Sequence, residues 1–255
     1  DFSLTIAPHT TTVFLGTSGC GKTTLMRMVN RMVTPSSGTV TVRGRDVAQE
    51  DPVALRRSIG YVLQDGGLFP HRTIVDNIAT VPVLEGASKV SARADALKLM
   101  ELVGLDASMA KRYPAQLSGG QRQRVGVARA LANRADILLM DEPFGALDPL
   151  VRADLQRQLR RIQKSLGTTI LFVTHDIDEA IVLGDRIVLL REGAQIAQEG
   201  TPRDLLLNPA NDFVREFLGT SAISERERIL EGAPDGTQAG KPVTASANDA
   251  QGERA

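Results

Sequence analysis

An apolar run, Thr12-Val13-Phe14-Leu15, leads directly into Gly16-Thr17-Ser18-Gly19-Cys20-Gly21-Lys22-Thr23, and residues 24–32 follow with helical spacing. Strand, glycine-rich turn and helix in that order restrict what this chain can fold into more than any other feature. Glycines let the backbone wrap closely round a bound group, while successive amides and the helix N-terminus supply donors and positive potential. The eight residues match the phosphate-loop pattern in full, in the strand-to-helix setting that the pattern requires. Lys22 is placed to reach β- and γ-phosphates, Thr23 to coordinate Mg2+ through its hydroxyl, and Thr24 to touch the α-phosphate. Cys20 has no obvious activating base and reads as a side chain tolerated in a loop that works through its backbone.

Beyond the loop, short β-branched runs alternate with amphipathic stretches, the pattern of a sheet covered by helices, so the fold class is α/β. Strands are expected at Thr39-Val40-Thr41-Val42, Ile59-Gly60-Tyr61-Val62, Ile137-Leu138-Leu139-Met140, Thr169-Ile170-Leu171-Phe172-Val173 and Arg186-Ile187-Val188-Leu189-Leu190. The last three are continuous apolar runs, which suit buried parallel strands. Phe2-Ser3-Leu4-Thr5-Ile6 also alternates like a strand, and because the chain opens on it without a methionine, the natural N-terminus is expected upstream. Helical spacing dominates from about residue 74 to 133; Ala96, Leu99 and Val103 share one face, and Gly104 suits a C-cap. This predicts an inserted helical subdomain over about residues 77–131. Residues 1–218 are read as one domain, and residues 219–255 as a polar tail that is largely disordered.

Charge excludes more than it suggests. Thirty basic residues balance thirty acidic ones, which removes any overall electrostatic case for a nucleic-acid partner or an anionic lipid surface. No stretch approaches the roughly 20 apolar residues that span a bilayer, so the chain is expected to be soluble or held at a membrane by another protein.

A second motif, Ile137-Leu138-Leu139-Met140-Asp141-Glu142, is an apolar strand that ends in two carboxylates. A buried strand accounts for the apolar part but not for adjacent acids at its exit. Asp141 is placed to hold the Mg2+ shell and Glu142 to polarise an attacking water. The strand at residues 169–173 leads into Thr174-His175-Asp176, which brings His175 out beside the γ-phosphate. Gln64, just after the strand at residues 59–62, carries an amide able to bridge metal, water and a mobile loop. Leu117-Ser118-Gly119-Gly120-Gln121 then supplies a helix start: Ser118 resembles an N-cap, and the helix from Gln121 to Ala132 places Val125, Ala128, Leu131 and Ala132 on one side. Two glycines at that start present bare amides to an anion, a second phosphate-binding surface separate from the loop around Lys22.

Residues 16–23, Gln64, residues 117–121 and 138–142, Ala146-Leu147-Asp148 and His175 occur in the order found in an ABC-type ATPase subunit, and the chain resembles that family over about residues 1–218. The resemblance implies a P-loop NTPase (RecA-like) core with an antiparallel β-subdomain and an inserted α-helical subdomain, and ATP with Mg2+ as ligands. It further implies two subunits, a homodimer or a paired ATPase, facing head to tail. Each ATP then lies between one phosphate loop (Gly16, Thr17, Ser18, Gly19, Cys20, Gly21, Lys22, Thr23, Thr24) and the other subunit's Ser118, Gly119, Gly120 and Gln121, with Asp148 at the dimer contact. Glu142 is the implied general base, His175 the γ-phosphate contact, and Gln64 the metal-side residue that links hydrolysis to transmembrane permease subunits. Thr23, Gln64 and Asp141 are the implied Mg2+ ligands. Such a subunit sits peripherally on the cytoplasmic face of the membrane and serves, indirectly, a solute-binding protein. The family's adenine-stacking aromatic falls upstream of Asp1, and Phe2 is too close to the phosphate loop to replace it.

Leu68-Phe69-Pro70-His71 with Asn77-Ile78, Val29-Asn30-Arg31-Met32 with Pro35-Ser36-Ser37-Gly38, and Leu55-Arg56-Arg57 before the strand at 59–62 resemble bacterial importers of osmoprotectants such as glycine betaine, choline and carnitine. Importers of polyamines, nitrate or sulfonates, or amino acids are the nearest alternatives. Residues 219–255 are too few and too polar for the regulatory domain pair that some osmoprotectant ATPases carry. Soluble ABC-type ATPases acting on DNA or ribosomes share the nucleotide chemistry, but their long coiled-coil insertions or paired ATPase units are not present. A simple P-loop kinase has no use for residues 118–121.

Overall fold

All six residues of β1 (Thr11–Gly16) are buried, and both of its edges are paired, so the strand that feeds the glycine loop lies inside the sheet. The structure, a computed structural model, describes residues 2–219 apart from Asp65 and Ala146. β6 (Thr169–Thr174) and β7 (Arg186–Arg191) run parallel to β1 on either side. β5 (Ile137–Asp141) pairs with β6, β4 (Gly60–Val62) with β5, and β8 (Gln195–Gly200) closes the far edge antiparallel to β7. The resulting order is β4-β5-β6-β1-β7-β8.

Successive residues of β1 point to opposite faces, and the two faces carry separate cores. Val13 and Leu15 join the larger one with Leu138, Met140, Phe144 and Phe172, whereas Phe14 joins Leu139, Leu171, Val173 and Val188 on the other side. The parallel register sets Leu15 beside Thr174 and Asp141 beside Val173. Three chemically interesting strand ends therefore open on one edge of the sheet, where ligands of open α/β sheets bind.

Helices α1 (Lys22–Val29) and α2 (Pro52–Ser58) flank the short antiparallel pair β2 (Thr41–Val42) and β3 (Arg45–Asp46) in the chain. α3 (Ile74–Ile78), α4 (Thr80–Leu84), α5 (Lys89–Leu102) and α6 (Gly119–Leu131) occupy the stretch where helical spacing dominates. In α6 the expected face is realised, with Val125, Ala128 and Leu131 buried. Gly104, expected as the C-cap, stands at φ 70° one residue beyond the α5 C-cap Val103. α7 (Pro149–Leu166), α8 (Ile177–Leu183), α9 (Pro202–Leu207) and α10 (Asp212–Leu218) complete the described chain. No helix among the described residues is long and apolar enough to cross a membrane.

Three expectations need correction. Residues 2–6 form no strand; Phe2, Leu4 and Ile6 pack their shared face on the smaller core, but no sheet ladder takes up their backbone. The helix after the glycine loop starts at Lys22 and ends at Val29, short of residue 32, because Arg31 adopts φ 55°. The strand at 39–42 shrinks to Thr41–Val42. The disorder expected for the tail falls, beyond Gly219, outside the described residues.

Candidate functional site

The phosphate loop bends where its sequence allows. Gly21 caps α1 at φ 111°, a conformation that a side chain would strain, and a Cβ there would sit 3.1 Å from that of Ala194. Lys22 is 4% exposed, and its Nζ donates to the Gly16 and Thr17 carbonyls at 2.8 and 2.7 Å. Its ammonium is thus kept inside the loop, over the place where phosphate oxygens would lie. Cys20 is buried with Sγ 3.8 Å from that ammonium, and Thr24 is exposed.

Thr23 Oγ1 donates to Asp141 Oδ1 at 2.8 Å, joining the helix start to the end of β5. The other oxygen, Oδ2, lies 3.4 Å from the Tyr61 hydroxyl and 3.5 Å from Arg27 Nη2. Burial pushes the Tyr61 phenol above its ordinary value, which keeps it a neutral donor. The donor set suits Mg2+: hard oxygens, one carboxylate and a hydroxyl, with the remaining positions left to water and phosphate.

Glu142 follows at φ 44°, its N–H donating to the Val173 carbonyl at 3.0 Å. That left-handed turn directs its carboxylate to His175, whose Nδ1 is 3.2 Å from Oε2. Gly16, Thr17, Ser18, Glu142, His175 and Phe217 line a cavity of about 380 Å3. Gln64 is exposed; its Nε2 lies 3.5 Å from where a Cβ on Gly145 would be, so it stands beside the turn after Glu142, and no hydrogen bond among the described residues joins it to Thr23 or Asp141. Arg129 of α6 donates to the Gly66 and Gly67 carbonyls and ties that loop to α6.

Ser118 accepts from the Gln121 N–H at 3.3 Å, and the Gln121 side chain accepts from the Ser118 N–H at 3.0 Å, a complete capping box. The predicted N-cap is present, but the two glycines differ. Gly120 is buried, and a Cβ there would run into Val151 Cγ1; Gly119 has nothing closer than Leu147 Cδ2 at 3.6 Å. Only Gly119 is open as an anion-facing glycine, while Gly120 lets α6 approach α7. None of residues 118–121 lines the cavity beside the phosphate loop. Asp148 is exposed and caps α7 through Val151 N–H at 3.1 Å.

Sequence reasoning missed Tyr61, Arg27, Phe217 and Arg152. A signal existed for Arg27, four residues after Thr23 on one helix face.

This constellation coincides with a match of residues 1–145 to the family model for the ABC transporter. The chain belongs to the ABC transporter family. Among similar ABC proteins, the carnitine transport ATP-binding protein OpuCA of Listeria monocytogenes serotype 1/2a (strain 10403S) is 50% identical over 93% of this chain and 58% of its own length. The glycine betaine/carnitine/choline transport ATP-binding protein OpuCA of Bacillus subtilis (strain 168) is 51% identical over 87% of this chain and 57% of its own length. The glycine betaine uptake system ATP-binding protein YehX of Escherichia coli (strain K12) is 47% identical over 92% of this chain and 76% of its own. The chain thus spans less than two thirds of the two OpuCA proteins. A solved ABC cassette, MJ0796 in a dimeric post-hydrolysis state bound to ADP and Pi, aligns with TM-score 0.71 at 33% identity, covering 78% of this chain and 88% of that one. The six-stranded sheet, the short β2-β3 pair and the helical stretch are therefore those of an ABC cassette.

Proposed function

We propose that the chain is the ATP-hydrolysing subunit of a bacterial ABC importer that energises uptake of quaternary-amine osmoprotectants such as glycine betaine, choline and carnitine. The observation that carries the ATPase part is the Glu142–His175 pair at 3.2 Å on the wall of the cavity beside the phosphate loop. The relatives named above, at 47–51% identity, support the substrate class.

In this reading the loop amides and Lys22 hold the ATP phosphates, and Glu142 takes the proton of the attacking water. His175 orients Glu142 and contacts the γ-phosphate. Thr23 and Asp141 would hold Mg2+, which would supply charge neutralisation to the β- and γ-phosphates, and Gln64, beside the Gly145 turn, is the proposed further ligand. The Ser118 turn, which caps a helix away from the cavity, closes on ATP held by a second copy. Closure of the pair drives a transmembrane permease, hydrolysis reopens it, and a solute-binding protein delivers the cargo outside. The subunit itself stays peripheral on the cytoplasmic face of the membrane.

Vesicles containing this subunit with the permease and binding protein encoded beside it should accumulate labelled glycine betaine, choline or carnitine when ATP is inside. Accumulation of a polyamine, nitrate or an amino acid in their place would reject the substrate class while leaving the ATPase reading intact.

A further inference from the structure

We propose that Arg152 is a positioning residue that joins the Asp148 turn to His175, so that a shift at the one is passed to the other. The inference rests on the ATPase reading above. Arg152 stands in the first turn of α7, the helix that Asp148 caps. Its Nη2 donates to the Leu147 carbonyl at 3.3 Å, its Nη1 donates to Asp176 Oδ2 at 3.0 Å, and its Nε lies 3.8 Å from Glu179 Oε1.

Each of those partners adjoins a residue of the site. Leu147 precedes Asp148. Asp176 follows His175, caps α8, and donates its N–H to Thr174 Oγ1 at 3.0 Å. Thr174 precedes His175, and its hydroxyl donates to the buried Glu179 at 2.7 Å. One guanidinium therefore bonds Asp176 directly, pairs by charge with the Glu179 that accepts from Thr174, and with the same fork grips the carbonyl next to Asp148. A planar, multi-donor head is suited to this task, and a lysine ammonium is not.

Stability alone gives a poor account of such a residue. Arg152 and Asp176 are half-buried and Glu179 is buried, so desolvation offsets part of their attraction. Among the described residues the buried Nε has no hydrogen-bond partner, and Arg152, Glu142 and His175 line a common space of about 40 Å3. The side chain is only partly satisfied, and what it contributes is a connection between three points. In a head-to-tail dimer, where the Asp148 turn meets the second copy, that connection carries the state of the contact to the histidine of the same copy's ATP site.

The test is a double-mutant cycle on steady-state ATPase activity with Arg152→Ala, His175→Ala and the pair. Arg152→Ala is expected to lower kcat by about tenfold or more with KM for ATP little changed, and to lower it by less than about twofold further once His175 is already alanine. A kcat at the wild-type level, or an equal loss in both backgrounds, would overturn the proposal. Arg152→Lys, which keeps the charge but not the fork, is held to the same two criteria if the alanine variant does not fold. Independently of hydrolysis, the chain has three histidines, and the His175 ring signals in an NMR spectrum should move in the Arg152 variant while those of His9 and His71 stay. Wild-type protein without ATPase activity would reject the underlying ATPase reading, and the NMR comparison would then still decide the Arg152–His175 link.

Discussion

His175 Nδ1 meets Glu142 Oε2 at 3.2 Å because β5 and β6 are parallel neighbours whose ends lie side by side. The contact also depends on φ 44° at Glu142, a backbone state that costs energy for a residue with a Cβ. Glu142→Gln keeps the size and one acceptor but cannot take a proton. We expect kcat to fall by roughly 10²–10⁴-fold, with an ATP-stabilised dimer on gel filtration in the presence of Mg2+. A variant that elutes as a monomer throughout would count against the shared site.

Tyr61 and Arg27 hold Asp141 Oδ2, leaving Oδ1 to Thr23. Groups that orient a ligand tune metal affinity without touching the metal, typically by 10–100-fold. Tyr61→Phe should raise the Mg2+ concentration for half-maximal turnover by about tenfold while activity at saturating Mg2+ recovers. A Mg2+ titration that superimposes on the wild-type curve would remove Tyr61 from the site.

The legible parts of the chain were those whose signal is local. β1, β5, β6 and β7 are continuous apolar runs, and both strand-end motifs lie where those runs stop. β8 is half polar and lies at the edge, so its pairing with β7 is set by the neighbour and not by its own pattern. Residues 2–6 show the converse: alternation there reports one packed face, which a segment can have without a ladder. The roles of Gly120 and Arg152 were hidden because both depend on contacts between elements far apart in the chain, α6 with α7 and α7 with α8.

Ser118 is exposed, and among the described residues its side chain acts as a helix cap, a role worth about 1 kcal/mol. Ser118→Arg should therefore fold and still bind nucleotide, yet lose turnover, because in the proposed head-to-tail pair its bulk would stand in the second copy's site. Retained ATPase activity in a folded Ser118→Arg protein would exclude the head-to-tail arrangement.

The two glycines of the same turn should separate by assay. Gly120→Ala forces a methyl against Val151, an overpacking that costs about 1–3 kcal/mol. Gly119→Ala meets ordinary contact with Leu147 at 3.6 Å and should leave the melting temperature near that of the wild type while impairing ATPase activity. Equal melting temperatures for the two variants would show that α6 and α7 are not in close contact at Gly120.

Asp76 of α3 accepts from Arg93 of α5 at 2.7 Å, and this bond, ahead of the one from Thr73, holds its carboxyl below the ordinary aspartate value. A carboxylate with a lowered folded-state pKa binds fewer protons in the folded chain than in the unfolded one. Its contribution to stability is therefore present above the ordinary range and lost as pH falls through the lowered value. Asp76→Asn should be less stable than wild type at neutral pH, and the gap should narrow as the pH drops below about 4. Urea unfolding at pH 7 and near pH 3 measures it; a gap that is the same at both would show that the α3–α5 bond does not depend on the charge of Asp76.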